Sequence, residues 1–79
     1  MLEELSTARK VVGVKQSLRA LREGEARKVF LACDADPAVI GRIEAACAAV
    51  EVERGYTMAQ LGSAGGIAVG AAVVTLLDG

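Results

Sequence analysis

The sequence predicts an α/β fold in which helices cover both faces of a small sheet. Three observations carry this. Short apolar or alternating runs recur at 29–33 (VFLAC), 50–54 (VEVER) and 73–77 (VVTLL). Segments with helical apolar spacing separate them. Turn residues mark the junctions: Gly24, the Asp-Ala-Asp-Pro of 34–37 and the glycines between 62 and 70. Strands separated by helices need crossover connections, which place the helices against the faces of the sheet.

Each element follows from its local pattern. Leu2, Leu5, Ala8 and Val12 recur at steps of three and four, which predicts an amphipathic helix over roughly 2–12. Gly13 ends it or marks a sharp junction. Val14, Leu18 and Leu21 predict a second helix that reaches about Glu23, with Gly24 as its stop. VFLAC reads as a strand buried on both faces. Asp36 is placed to cap a third helix, with Pro37 at its first position. That helix carries Val39, Ile40, Ile43, Ala46, Cys47 and Val50. VEVER alternates apolar and charged residues and reads as an edge strand. Thr57 caps a short helix from Met58 to about Ser63, and VVTLL closes the chain as a buried strand.

Composition narrows the function. Seventy-nine residues, 53% of them hydrophobic and 24% charged, are expected to form one domain, 1–79, with a modest core. Phe30 and Tyr56 are the only aromatics, which argues against recognition sheets and barrels that stack bases on aromatic platforms. The net charge is −1, but it is unevenly spread. Residues 1–30 hold seven Lys/Arg against four Asp/Glu, and residues 31–79 hold two against six. That predicts a basic face on an acidic body. There is no histidine, and Cys33 and Cys47 lack the spacing of a zinc site. Both are expected to be buried small hydrophobes in a reducing compartment. Leu61 to Leu77 is 17 residues without a charge, at the lower limit of a membrane span. Its four glycines and the lack of a basic flank favour a glycine-rich loop that feeds a buried strand.

Three stretches could carry chemistry. Lys15, Arg19 and Arg22 share one helix face, with Gln16 reachable from the same side. Basic residues at a helix start oppose the macrodipole, so their placement calls for another reason than helix stability. A helix start attracts phosphate through its free amides, and Gln16 adds an amide for base edges. A solvated surface face is the plain alternative. LGSAGGIAVGAA, 61–72, has no GxGxxG and no GK[ST], so it is neither a dinucleotide fingerprint nor a P-loop. Its glycines permit close backbone approach, and Ile67, Ala68 and Val69 would form an unusually apolar exposed tip. Asp34 and Asp36 could bind Mg²⁺ or act as acid and base, but a helix cap is the simpler role for Asp36. No catalytic triad can be assembled.

G-V-K-Q at 13–16, D-A-D-P at 34–37 and L-G-x-x-x-G-I-x-V-G-A-A at 61–72 together resemble the kink-turn-binding ribosomal protein family named for archaeal large-subunit protein L-seven-Ae. The small bacterial members are the most similar. The resemblance covers nearly the whole chain. It implies a three-layer α/β/α sandwich around a four-stranded mixed sheet. It also implies binding of kink-turn RNA, in which tandem sheared G·A pairs lie beside a sharply bent bulge. Gly13, Lys15 and Gln16 match the motif that approaches guanine edges, and Arg19 matches a basic position near phosphates. Asp36 matches an acidic position of a strand-to-helix loop. Ile67, Ala68 and Val69 match an apolar loop packed on bulged nucleotides.

The resulting expectation is a non-catalytic, monomeric, cytoplasmic RNA-binding protein without cofactor or metal. Its target would be a kink-turn in ribosomal RNA or an mRNA leader. The competing expectation is a protein-interaction module of the same fold that does not bind RNA.

Overall fold

The computed structural model describes residues 9–47, 49–67 and 69–78. Within them lie four strands and three helices: β1 (Lys10–Val12), α1 (Val14–Arg22), β2 (Ala26–Ala32), α2 (Pro37–Ala46), β3 (Glu51–Tyr56), α3 (Met58–Ala64) and β4 (Val73–Leu77). The strands form one sheet in the order β1-β4-β2-β3. β4 runs antiparallel to both β1 and β2, whereas β2 and β3 are parallel, so the sheet is mixed.

The first predicted helix is corrected here. Residues 10–12 form a strand, with Lys10 opposite Leu76, Val11 opposite Thr75 and Val12 opposite Val74. The helical spacing of the apolar residues is overridden because Lys-Val-Val supplies β-branched residues to an open edge of β4, where backbone pairing is available. The remainder of that predicted helix, up to residue 8, lies outside the described residues.

Other boundaries move less. β2 begins three residues before VFLAC and stops at Ala32. Cys33 therefore sits just past the strand and is exposed, not buried as expected, whereas Cys47 is buried. Burial raises the Cys47 thiol pKa, which keeps it protonated and inert. α2 ends at Ala46, and Val50 belongs to the turn that follows it. The uncharged 61–77 stretch is divided among the end of α3, a loop and β4. No helix among the described residues is long and apolar enough to cross a membrane.

The period-two alternation of the strands separates two apolar layers. Val29, Leu31 and Val73 pack with Ile43 and Cys47 under α1 and α2. Phe30, Ala32, Val74 and Leu76 pack with Leu61 under α3. Helices thus cover both faces of the sheet, giving the three-layer α/β/α sandwich. α1 joins its layer through half-buried Val14, Leu18 and Leu21, and buries Ser17 and Ala20.

Candidate nucleic-acid interface

The strand register determines which loops meet. β1 ends at Val12, opposite Val74 near the start of β4. β2 ends at Ala32, whose amide donates to the Ala72 carbonyl at 2.8 Å. Parallel β3 ends beside it, with Tyr56 opposite Ala32. The junction at Gly13, the 33–36 loop, the start of α3 and the loop before β4 therefore all lie at one end of the sheet. Except for residue 68, which is outside the described set, every site residue expected from sequence lies at this end or on the helix that rises from it.

Gly13 is the hinge of the first segment. Its φ of +105° is costly for a residue with a side chain. That conformation lets its amide donate to the Val73 carbonyl at 2.9 Å while its own carbonyl accepts from Ser17 at 3.0 Å. β4 thereby fixes where α1 starts. Among the described residues no side chain caps that start, and no acidic residue lies in the first turn. The leading amides of α1 can therefore donate to an external oxygen, and the dipole favours an anion there. Lys15 and Gln16 are exposed beside them.

Arg19 is also exposed and lies 3.3 Å from Glu23, one turn along α1. Such an exposed pair is worth little, so a phosphate can displace the carboxylate at small cost. Arg22 continues the same face one turn further on. Val14, Lys15, Leu18, Arg19 and Arg22 border a groove of about 520 Å³ whose far wall carries Arg42 of α2.

Asp36 caps α2 as predicted, its Oδ1 accepting from the Ala38 amide at 2.8 Å. Asp34 has a role the sequence did not suggest: its Oδ1 accepts from the Met58 amide at 2.8 Å. It ties the 33–36 loop to the start of α3. The two carboxylates thus serve two different helix starts. Among the described residues no cluster of three metal-ligating side chains occurs.

The apolar tip is held by backbone. The Ile67 amide donates to the Gly62 carbonyl and the Ala71 amide to the Met58 carbonyl, both at 3.0 Å. The loop folds back so closely that a Cβ at Gly62 would collide with the Val69 carbonyl oxygen. At Gly70 a Cβ would lie 3.1 Å from the Met58 Cβ. Ile67 and Val69 are nonetheless 37% and 71% exposed, the exposed large hydrophobics among the described residues. The sequence expectation for these two holds in exposure, and Ala68 lies outside the described residues.

Residues 2–79 match the profile of the ribosomal protein L7Ae/L30e/S12e/Gadd45 family. The chain belongs to that family. Bacterial members of known name are similar over almost their whole length. The RNA-binding protein YbxF of Geobacillus stearothermophilus is 45% identical over 75 residues, covering 92% of each chain. The RNA-binding protein BH0128 of Halalkalibacterium halodurans is 43% identical over 68 residues, covering 84% of this chain and 83% of its own. Among solved structures, the Giardia lamblia 15.5kD RNA binding protein superposes on this L7Ae-family chain with a TM-score of 0.86. That match has 23% identity and covers 99% of this chain and 68% of the other. A Bacillus halodurans protein of unknown function gives 0.87, also at 23% identity, covering 98% and 83%. These two likenesses show that the chain shares the fold of both structures.

Proposed function

We propose that this L7Ae-family protein is a non-catalytic RNA-binding protein that recognises kink-turn RNA as a single-domain monomer in the cytoplasm. The observation that carries the reading is the uncapped start of α1, set beside an exposed apolar loop at one end of the sheet. A kink exposes base edges that a regular A-form groove hides. Gly13 keeps side-chain bulk away from the approach. Lys15 and Gln16 offer an ammonium and an amide to acceptors on guanine edges. Arg19 meets phosphate. Ile67 and Val69, with Ala68 between them in sequence, cover unstacked bases without aromatic rings. Asp36 acts by holding the start of α2 and so the loop that borders the site. Relatives named as RNA-binding proteins at above 40% identity support the RNA part of the reading. The kink-turn part rests on the residue motifs. Ribosomal RNA and an mRNA leader are both suitable sources of such an element.

The test is a gel shift with a kink-turn RNA and a control whose sheared G·A pairs are replaced by Watson–Crick pairs. The expected result is tight binding of the first and weak binding of the second. The protein selects the bent conformation, and the control cannot adopt it. Equal affinity for the two RNAs would overturn kink-turn recognition.

A further inference from the structure

The groove between α1 and α2 extends the basic character of the interface beyond the residues that a base-edge contact needs. Its border carries Lys15, Arg19, Arg22 and Arg42, and among the described residues no carboxylate lines it. Among the described residues, no ion pair engages Lys15, Arg22 or Arg42. Arg54, by contrast, lies 2.7 Å from Glu44, and Lys28 lies 2.9 Å from Glu53. On a molecule of net charge −1, the exposed cations that have no carboxylate partner among the described residues are concentrated at this groove. Arg42 is a single cation in an otherwise aliphatic and acidic helix, PAVIGRIEAA. Only the packing of α2 against α1 brings it to the same groove as the cations of α1.

We propose that this groove is a second contact for RNA backbone, in which Arg22 and Arg42 hold phosphates of one duplex stem flanking the kink. The assignment rests on the kink-turn reading above and extends it to the stem. Continuity favours RNA as the occupant, because Lys15 and Arg19 belong both to the groove and to the base-reading start of α1. Lys15 and Arg22 are seven residues apart, so the face runs about 10 Å along the helix axis. That length follows a strand past the kink instead of holding a single ion. Guanidinium groups suit this role because their planar donors pair with phosphate in a bidentate manner. The half-buried aliphatic side chains of Val14 and Leu18 form a floor that lets backbone lie close.

The experiment compares the wild type, Arg22→Ala/Arg42→Ala and Arg22→Lys/Arg42→Lys on four RNAs across a salt series. The RNAs are a kink-turn with full stems, the same element with each stem shortened in turn, and the G·A-disrupted control. Both arginines are exposed, so the substitutions leave the core intact. The alanine pair is expected to weaken binding of the full-stem RNA roughly tenfold at low salt. The slope of log K against log salt should become shallower by about one to two. Its preference for the kink-turn over the control should persist, and the lysine pair should keep most of the slope. Shortening one particular stem should weaken the wild type and erase its advantage over the alanine pair. Wild-type affinity and slope in the alanine pair, on an RNA that Lys15→Ala binds poorly, would overturn the groove assignment and leave kink-turn recognition standing. A wild type that fails to distinguish the kink-turn from the control would remove both.

Discussion

In the proposed RNA site, Lys15 and Gln16 stand out for what their neighbours do not do. Among the described residues no side chain competes for the first amides of α1, and both residues are exposed. Lys15→Ala and Gln16→Ala should each weaken kink-turn RNA binding by about 1–3 kcal/mol. Their thermal midpoints should stay near the wild-type value, and unchanged RNA affinity would refute the base-edge role. Glu53 shows the opposite kind of residue, one committed to the fold. The Tyr56 hydroxyl donates to its Oε2 at 2.5 Å, and Lys28 approaches Oε1 at 2.9 Å. Those two partners, Tyr56 first, lower its pKa to about 2. The folded protein thus binds fewer protons than the unfolded chain between about pH 4.5 and 2. Stability from this carboxylate is complete above that window and is lost as pH falls through it. Thermal midpoints of Glu53→Gln should fall less steeply than wild type between those pH values. Parallel pH profiles would show that Glu53 contributes nothing to acid stability.

At the scale of elements, the α3–β4 segment is the most demanding piece. Its apolar tip can stay exposed because the rest of the loop is clamped onto α3 by close backbone contact. Gly62→Ala places a methyl group against the Val69 carbonyl, where the rigid partner is backbone. Overpacking of this kind costs about 1–3 kcal/mol. Urea denaturation should show that loss, and wild-type stability would mean that the loop yields freely. Most elements here were legible from local chemistry. The Asp36–Pro37 start of α2 occurs as read, and Thr57 closes a full capping box with Gln60. β2 and β4 announced themselves by β-branched runs. β1 did not, because three residues are too few to show alternation, and Val12 also fitted a helical repeat. Only the family resemblance called for a fourth strand. Cys33 was misjudged for a related reason: β2 stops one residue earlier than the apolar run does.

The whole molecule combines an acidic total with a local basic face, and that contrast has a measurable consequence. Binding of a kink-turn RNA should weaken steeply with added salt, since each neutralised phosphate releases counterions. Featureless RNA should bind poorly even at low salt. A salt-insensitive interaction would instead favour an apolar protein partner on the Ile67–Val69 loop. The positions of the candidate interface residues along the chain were readable as motifs, but their meeting at one end was not. It depends on β4 lying between β1 and β2 and antiparallel to both, which no local pattern encodes. Arg42 escaped notice for the same reason, since its proximity to the α1 cations arises from helix packing. The bare first turn of α1 also equips the protein with its own reporter. Gly13 and Ser17 have bonded amides, while the three amides between them lack a side-chain acceptor among the described residues. In solvent exchange those three should form a fast island between slow neighbours, and an RNA seated on the helix start should slow them selectively. Pools of cellular RNA can thus be sorted by how far they quench that island, with no prior guess at their sequence.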